Sequence, residues 1–130
     1  MAIKVSGTTV IDDNRIFLPI NSAETSTSAT IVAGTLSLNL NSAAVFNVTL
    51  DSNITTLTLT NVQSSGKSSS FVIVFTADGT AKSVTWPVSF KWPSGTAPTI
   101  TSTNNKKDVY VFFTTDGGTT WQAFISGQNI

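Results

Sequence analysis

Cysteine is absent from this chain of 130 residues, so disulfides and thiolate metal sites are excluded. Histidine is absent as well, which removes the usual general base near neutral pH and the commonest metal ligand. Charge is scarce and balanced, with seven basic and seven acidic residues making up 11% of the chain. Nucleic-acid binders draw affinity from a basic excess that neutralises phosphate, and there is none here. No apolar run approaches the ~20 residues of a membrane helix. The opening Met1-Ala2-Ile3-Lys4-Val5-Ser6-Gly7 has no signal-peptide core, which sets the expectation of a chain made and kept in a cytoplasm until it is assembled. Apolar residues at helical three-and-four spacing are missing; alternation dominates instead.

What is present points to sheet. One domain of ordinary size fits the length, and such a chain buries roughly two-thirds of its unfolded surface without staples. Ser and Thr make up roughly 30% of the residues, well above ordinary usage. Thr is β-branched and suits the wet face of a strand, but a sheet covered in Thr and Ser has poorly defended edges. Nine of the twelve Phe, Trp and Tyr residues fall between Phe71 and Trp121, in short β-type runs divided by Pro and Gly. This is the pattern of a rigid sheet built for packing and surface contact.

Three segments follow from the pattern. Residues 1–20 read as an arm for attachment or oligomerisation, with extended runs Ala2–Val5, Thr8–Ile11 and Arg15–Ile20 and a turn at Asp12-Asp13-Asn14. Ile3, Val5, Val10, Ile16, Phe17, Leu18 and Ile20 are too apolar for a free tail, and an isolated hairpin is marginal in water. They are the candidate contacts to another subunit or to a particle. Residues 21–30 are polar and low in complexity, and read as a linker. Residues 31–130 form the body. Thr35–Leu40 alternates with its leucines on one face. Ala44–Leu50 places Phe46, Val48 and Leu50 inward, and Ile54–Val62 keeps Leu57 and Leu59 in phase. The continuous run Phe71–Phe75 predicts a central strand covered on both faces. Asp78-Gly79 predicts a hairpin turn with Val84–Trp86 pairing back. Val88–Trp92 and Pro98–Thr101 are further short strands. Val109–Thr114 and Thr120–Ile125 form a last hairpin around Asp116-Gly117-Gly118. About eight strands at roughly ten-residue spacing predict a single antiparallel β-sandwich or jelly roll.

Chemistry-bearing signals are weak beside their structural readings. Ser64-Ser65-Gly66-Lys67-Ser68 superficially resembles a phosphate loop, but the glycine spacing is incomplete and no helix is expected after it. The acidic residues Asp12, Asp13, Glu24, Asp51, Asp78, Asp108 and Asp116 mostly fall at expected turns, where Asp bonds the nearby backbone. Two-carboxylate hydrolysis needs a pair held about 5–10 Å apart in a cleft. Calcium at Asp12-Asp13-Asn14 lacks the spaced acidic loop of known calcium motifs. Trp86, Trp92, Tyr110 and Trp121 are candidates for stacking on sugar rings if exposed; aromatic rings also dominate cores and interfaces. Asn47-Val48-Thr49 and Asn53-Ile54-Thr55 match the glycosylation pattern, which carries no meaning without a secretory context. No catalytic residue, metal site or cofactor site is expected.

Two stretches resemble phage virion proteins. Gly7-Thr8-Thr9-Val10-Ile11-Asp12-Asp13-Asn14-Arg15 resembles a segment that recurs in tail-fibre and related structural proteins. Phe71 through Phe124 is similar to a β-rich module at the C-termini of fibre-like proteins of marine and cyanobacterial phages. The matching features are Val84-Thr85-Trp86-Pro87, Lys91-Trp92, Gly95-Thr96-Ala97-Pro98-Thr99, Asp108-Val109-Tyr110, and Phe113-Thr114-Thr115-Asp116-Gly117-Gly118-Thr119-Thr120-Trp121. The resemblance implies a non-enzymatic virion component, oligomeric and often trimeric. Its expected partners are its own copies and other phage virion proteins of capsid or tail, with neither nucleic acid nor membrane insertion. A typical fibre carries a long shaft, which this sequence does not show. On that ground a capsid decoration or cement protein is the leading expectation. A fibre-tip module that binds host surface glycans is the alternative, and a small glycan-active enzyme the third.

Overall fold

A computed structural model describes residues 24–130, together with the backbone of Ile3–Val5 and Thr8–Ile11. β1 (Ile3–Val5) and β2 (Thr8–Ile11) pair antiparallel, with Val5 opposite Thr8. Nine further strands make two sheets. They are β3 (Ser26–Ser28), β4 (Ile31–Val32), β5 (Thr35–Asn39), β6 (Val45–Leu50), β7 (Thr56–Thr60), β8 (Ser69–Ala77), β9 (Phe90–Lys91), β10 (Lys107–Thr114) and β11 (Trp121–Gly127). The large sheet has the order β3-β6-β8-β10-β11-β9 and the small sheet the order β4-β5-β7. The expected all-β, sandwich-like class is what the chain adopts.

The pairing is mixed rather than antiparallel. In the two larger sheets β3–β6, β6–β8, β5–β7 and β9–β11 are parallel, while β4–β5, β8–β10 and β10–β11 are antiparallel. The cause is the way the chain travels. After β3 it crosses to the small sheet for β4 and β5, returns to the large sheet for β6, crosses again for β7, and returns for β8. β6, β7 and β8 therefore each meet the earlier strand of the same sheet (β3, β5 and β6) after a full circuit, and so run parallel to it. A two-sided coil precedes a conventional hairpin of β10 and β11.

Local chemistry sets the crossings. Asn39 Oδ1 accepts from Asn41 N at 3.0 Å, and Asn39 O accepts from Ser42 N and Oγ, turning the chain out of β5. Ala33 and Gly34, at φ 48° and 78°, make the two-residue turn between β4 and β5. Two positive φ values are what the right-handed strand twist favours in such a turn.

Asp78-Gly79 does not make a hairpin. The Asp78 carboxylate gathers Thr80 N and Oγ1 at 2.9 and 2.7 Å and Lys82 Nζ at 2.6 Å, folding the turn on itself and sending the chain across to the small sheet. There Ile54 N donates to Ser83 O and Thr85 N to Ile54 O, so Val84 bridges Ile54 in parallel and does not return to β8. Pro98–Thr101 is irregular, and only Phe90–Lys91 of the 88–92 run is strand. Ser26–Ser28, inside the stretch read as linker, is an edge strand; Asn47 Nδ2 donates to Ser26 Oγ at 2.8 Å and helps hold it.

The core lies between the sheets. Leu36, Leu38 and Leu57 of the small sheet face Phe46, Val48, Phe71, Ile73, Phe75, Tyr110, Phe112 and Trp121 of the large one, all buried. Phe71 stacks on Phe112 at 4.8 Å and 18° and meets Trp121 edge-on at 5.1 Å. Rings arranged this way add about 0.5–1.5 kcal/mol per pair beyond their burial.

Candidate interaction surface

The aromatic residues considered for sugar stacking are part of this core. Tyr110 is 0% exposed, Trp121 2% and Trp92 8%. Trp86 is half-buried, edge-on to Trp92 at 5.0 Å and to Tyr110 at 5.5 Å. Tyr110, Trp121 and Trp92 are spent on their neighbours and offer no platform to a ring in solution, whereas Trp86 lines an open surface groove with Pro87 and Val88. The Trp92 indole N–H is buried without a hydrogen-bond partner among the described residues; Trp92 packs edge-to-face with Tyr110 and Phe112. Of the arm candidates, the backbones of Ile3, Val5 and Val10 belong to β1 and β2. Ile16, Phe17, Leu18 and Ile20 lie outside the described residues, as does the Asp12-Asp13-Asn14 turn.

Three of the five described acidic groups, Asp78, Asp108 and Asp116, are occupied structurally. Asp108 lies inside strand β10, 1% exposed. One carboxylate oxygen accepts Thr101 N at 2.8 Å and Tyr110 Oη at 3.0 Å; the other accepts Asn129 N at 3.0 Å. Burial raises its pKa, but these hydrogen bonds outweigh burial and hold it below the ordinary carboxylate value. Burial first, and the neighbouring Asp108 charge second, push the Tyr110 phenol up. Asp116 is held low by Thr120 N and by the Thr114 hydroxyl. Asp78 is lowered to about 2, first by Lys82 and then by Thr80. Each is the anchor of a turn or loop. In the Ser64–Ser68 loop the Gly66 N–H is given to Thr115 O, and strand β8 follows rather than a helix. Among the described residues no group of His, Cys, Asp or Glu is placed to hold a metal.

The outer face of the large sheet is different. Alternation along β8 and β10 turns Phe71, Ile73 and Phe75, and Asp108, Tyr110 and Phe112, inward. The intervening Val72 and Val74, and Val109, Val111 and Phe113, therefore point outward. Register then aligns Val45, Val72, Val111 and Phe124 in one row across four strands, with Val74 beside Val109 in the next. Phe124 is 50% exposed and Phe113 39%; the valines are half-buried among their neighbours. Lys107, Lys91 and Asp51, which borders Asn47, Thr49 and Thr76, sit at the rim of this face, outside the apolar row. Sequence reading expected Phe71–Phe75 to be covered on both faces. β8 is indeed central in the sheet, yet only its inner face is fully buried. The outward set was missed because a continuous apolar run hides its own alternation, although its pairing with Asp108-Val109-Tyr110-Val111-Phe112 carries the signal.

Residues 31–120 match a protein-family model described as "Putative phage tail fibre C-terminal domain". The chain belongs to this family. No curated protein and no solved structure matches it. The family match bears out the resemblance to phage tail-fibre modules, extends it toward Ile31, and implies a virion component with a structural role. It favours the tail-fibre reading over capsid decoration, which the leading expectation had placed first on the absence of a shaft. Among the described residues of this tail fibre domain no helix is long and apolar enough to cross a membrane.

Proposed function

We propose that this chain is a non-enzymatic tail fibre domain that works by protein contact, and that its contact surface is the outer face of the six-stranded sheet. The observation that carries the reading is the uninterrupted row Val45, Val72, Val111 and Phe124, aligned by register and free of charge. A soluble domain rarely leaves a contiguous apolar patch beyond a few hundred Å² without an interaction to match. Interface cores are depleted in charge and enriched in aromatic residues, as this face is. It also suits a second copy of the same chain, since two such faces meet without like-charge repulsion. The fibre-like resemblance makes three copies the expected number, with other fibre or tail proteins as further partners. Assembly in the host bacterial cytoplasm into the virion is part of the same reading.

The test is the mass of the purified chain by light scattering at micromolar concentration, for the natural sequence and for a Val111→Lys/Phe124→Lys variant. The natural chain is expected to exceed monomer mass, and the variant to fall to monomer mass with its near-ultraviolet dichroism retained. A monomeric natural chain, or a folded variant of unchanged mass, overturns the proposal.

A further inference from the structure

Just before β7 a second parallel pairing starts and then stops. Ile54 N donates to Ser83 O at 2.9 Å and Thr85 N to Ile54 O at 2.8 Å, so Ile54 bridges Val84. Thr55 N and Thr56 N then both donate to Gly34 O, a bulge that makes Leu57 the next residue on this edge. Thr56 and Thr60 bond toward β5, since Thr56 N donates to Gly34 O and Leu40 N to Thr60 O. Leu57 lies between them and turns its peptide groups the other way. The next rung needs an N–H at position 87 to reach the Leu57 carbonyl, and Pro87 has none. The two segments part there. Neither the N–H nor the carbonyl of Leu57 has a partner among the described residues. Between the segments lies an open groove of about 290 Å³, with Thr56 and Leu57 on one side and Thr85, Trp86, Pro87 and Val88 on the other. Past Leu57 and Pro87 it meets a further groove of about 300 Å³ that reaches Leu59 and Gly118.

We propose that this groove binds a neutral saccharide, with a sugar ring lying against Trp86 and its hydroxyls bonded to the peptide groups of Leu57 and to the threonine hydroxyls of the rim. The site lies between the two sheets' edges, apart from the outer face of the large sheet. The ring is the first argument. Of the four aromatic residues considered for stacking, Trp86 is the one that is not buried. Phe75, Phe90 and Phe112 lie 6.0, 6.1 and 5.8 Å from it, in addition to Trp92 and Tyr110. The indole is thus fixed before a ligand arrives and has little rotamer freedom left to lose. The lining is the second. A sugar has an apolar C–H face and a rim of hydroxyls, which suits an apolar pocket with a few fixed polar groups. Pro87 and Val88, the latter 91% exposed, extend the apolar side. Leu57 supplies one donor and one acceptor held in place by β7, and Thr56 and Thr85 are exposed at the rim. Charge is the third. No charged residue lines the groove, so an acidic or basic sugar would give up water with no counter-charge to meet it. Shape is the fourth. The Ile54–Val84 bridge closes one end, which a compact ring tolerates and an inserted peptide strand does not.

Nuclear magnetic resonance on the full chain tests this. The probes are the methyl glycosides of glucose, galactose, mannose, rhamnose, N-acetylglucosamine and N-acetylgalactosamine at millimolar concentration, with N-acetylneuraminic acid as the charged control. At least one neutral probe is expected to move the Leu57 amide and the Trp86 indole N–H resonances saturably, while the Ile73 amide stays in place and the charged control moves none of them. Val88→Asp puts a charge on the rim at an exposed position and is expected to weaken that binding by about tenfold or more. Should Val88→Asp disturb the Ile73 amide, Thr85→Lys reads the same loss. The absence of saturable shifts with every neutral probe overturns the proposal, and so does equal affinity in the natural chain and a folded variant. An alternating Thr-Val peptide that moves the Leu57 amide where no sugar does assigns the groove to an added strand, and overturns it too.

Discussion

The Tyr110 hydroxyl donates to the Asp108 carboxylate at 3.0 Å, with the two residues 0% and 1% exposed. They sit two apart on one face of β10, so a single strand delivers a buried charge and one of its donors together. The other two donors are backbone N–H groups of Thr101 and Asn129. One carboxylate therefore ties the irregular 99–103 segment to the sheet and reinforces the chain end, where Ile130 also exchanges two backbone hydrogen bonds with Lys107.

This arrangement makes stability acid-sensitive. Asp108 and Asp116 are held below the ordinary carboxylate pKa in the folded state. Depressed carboxylates contribute fully above their unfolded pKa of about 4, and the contribution is lost as pH falls through the lower folded values. Urea midpoints are therefore expected to be level from pH 7 to about 5 and to drop below about 4. Asp108→Asn is expected to cost about 1–3 kcal/mol at pH 7, since it removes charge and strands a donor. It is also expected to shallow the acid drop. A midpoint in the variant equal to that of the natural chain at pH 7 would contradict the anchoring role.

Trp121 closes the core beneath the β10–β11 hairpin, against Phe71 and Phe90. Trp121→Ala is expected to cost about 3–5 kcal/mol by leaving a cavity that rigid neighbouring rings cannot fill. Equilibrium urea unfolding followed by dichroism measures it. An unchanged melting temperature would mean the ring is exposed.

Ala33 holds a φ of 48° in the turn between β4 and β5. A residue with a Cβ pays about 1 kcal/mol for that conformation, and Asn tolerates it better. Ala33→Asn, giving the Asn-Gly pair that such turns favour, is expected to raise the melting temperature by a few degrees. A lower value in calorimetry would show that another contact of Ala33 dominates.

Gly118 has φ 85°, and a Cβ there would come within 3.1 Å of Val62 and 3.2 Å of Trp121 Nε1. Gly118→Ala is expected to destabilise by about 1–2 kcal/mol from backbone conformation alone, and more from the contacts. Gly66, at φ 87° with open space around it, is the comparison: Gly66→Ala carries the conformational cost only. Equal losses at the two positions, measured by thermal unfolding, would remove the packing argument.

Much of the body was legible in the residues. Alternation at Thr35–Leu40, Ala44–Leu50 and Ile54–Val62 placed Leu36, Leu38, Phe46, Val48, Leu50 and Leu57 inside, where they are buried. Asp116-Gly117-Gly118 marked the last hairpin between Lys107–Thr114 and Trp121–Gly127. Asp78-Gly79 misled because the same dipeptide serves a turn that returns and a turn that crosses; its side chain chose the second by binding Thr80 and Lys82. The outward apolar row was invisible for a related reason. Val72, Val74, Val109 and Val111 lie far apart in sequence, and only strand pairing sets them edge to edge.

Residue type and spacing by themselves determined that this chain is all-β, that its rings belong to one region, and that neither thiol nor imidazole chemistry is open to it. Those are local properties, carried by side-chain shape, charge and a period of two. Tertiary structure alone decided which sheet each strand joins, the parallel sense of the coil, the burial of Trp92, Tyr110 and Trp121, and the outward row ending at Phe124. Alternation tells each strand which way is in, but the partner it pairs with depends on where the intervening loop lands.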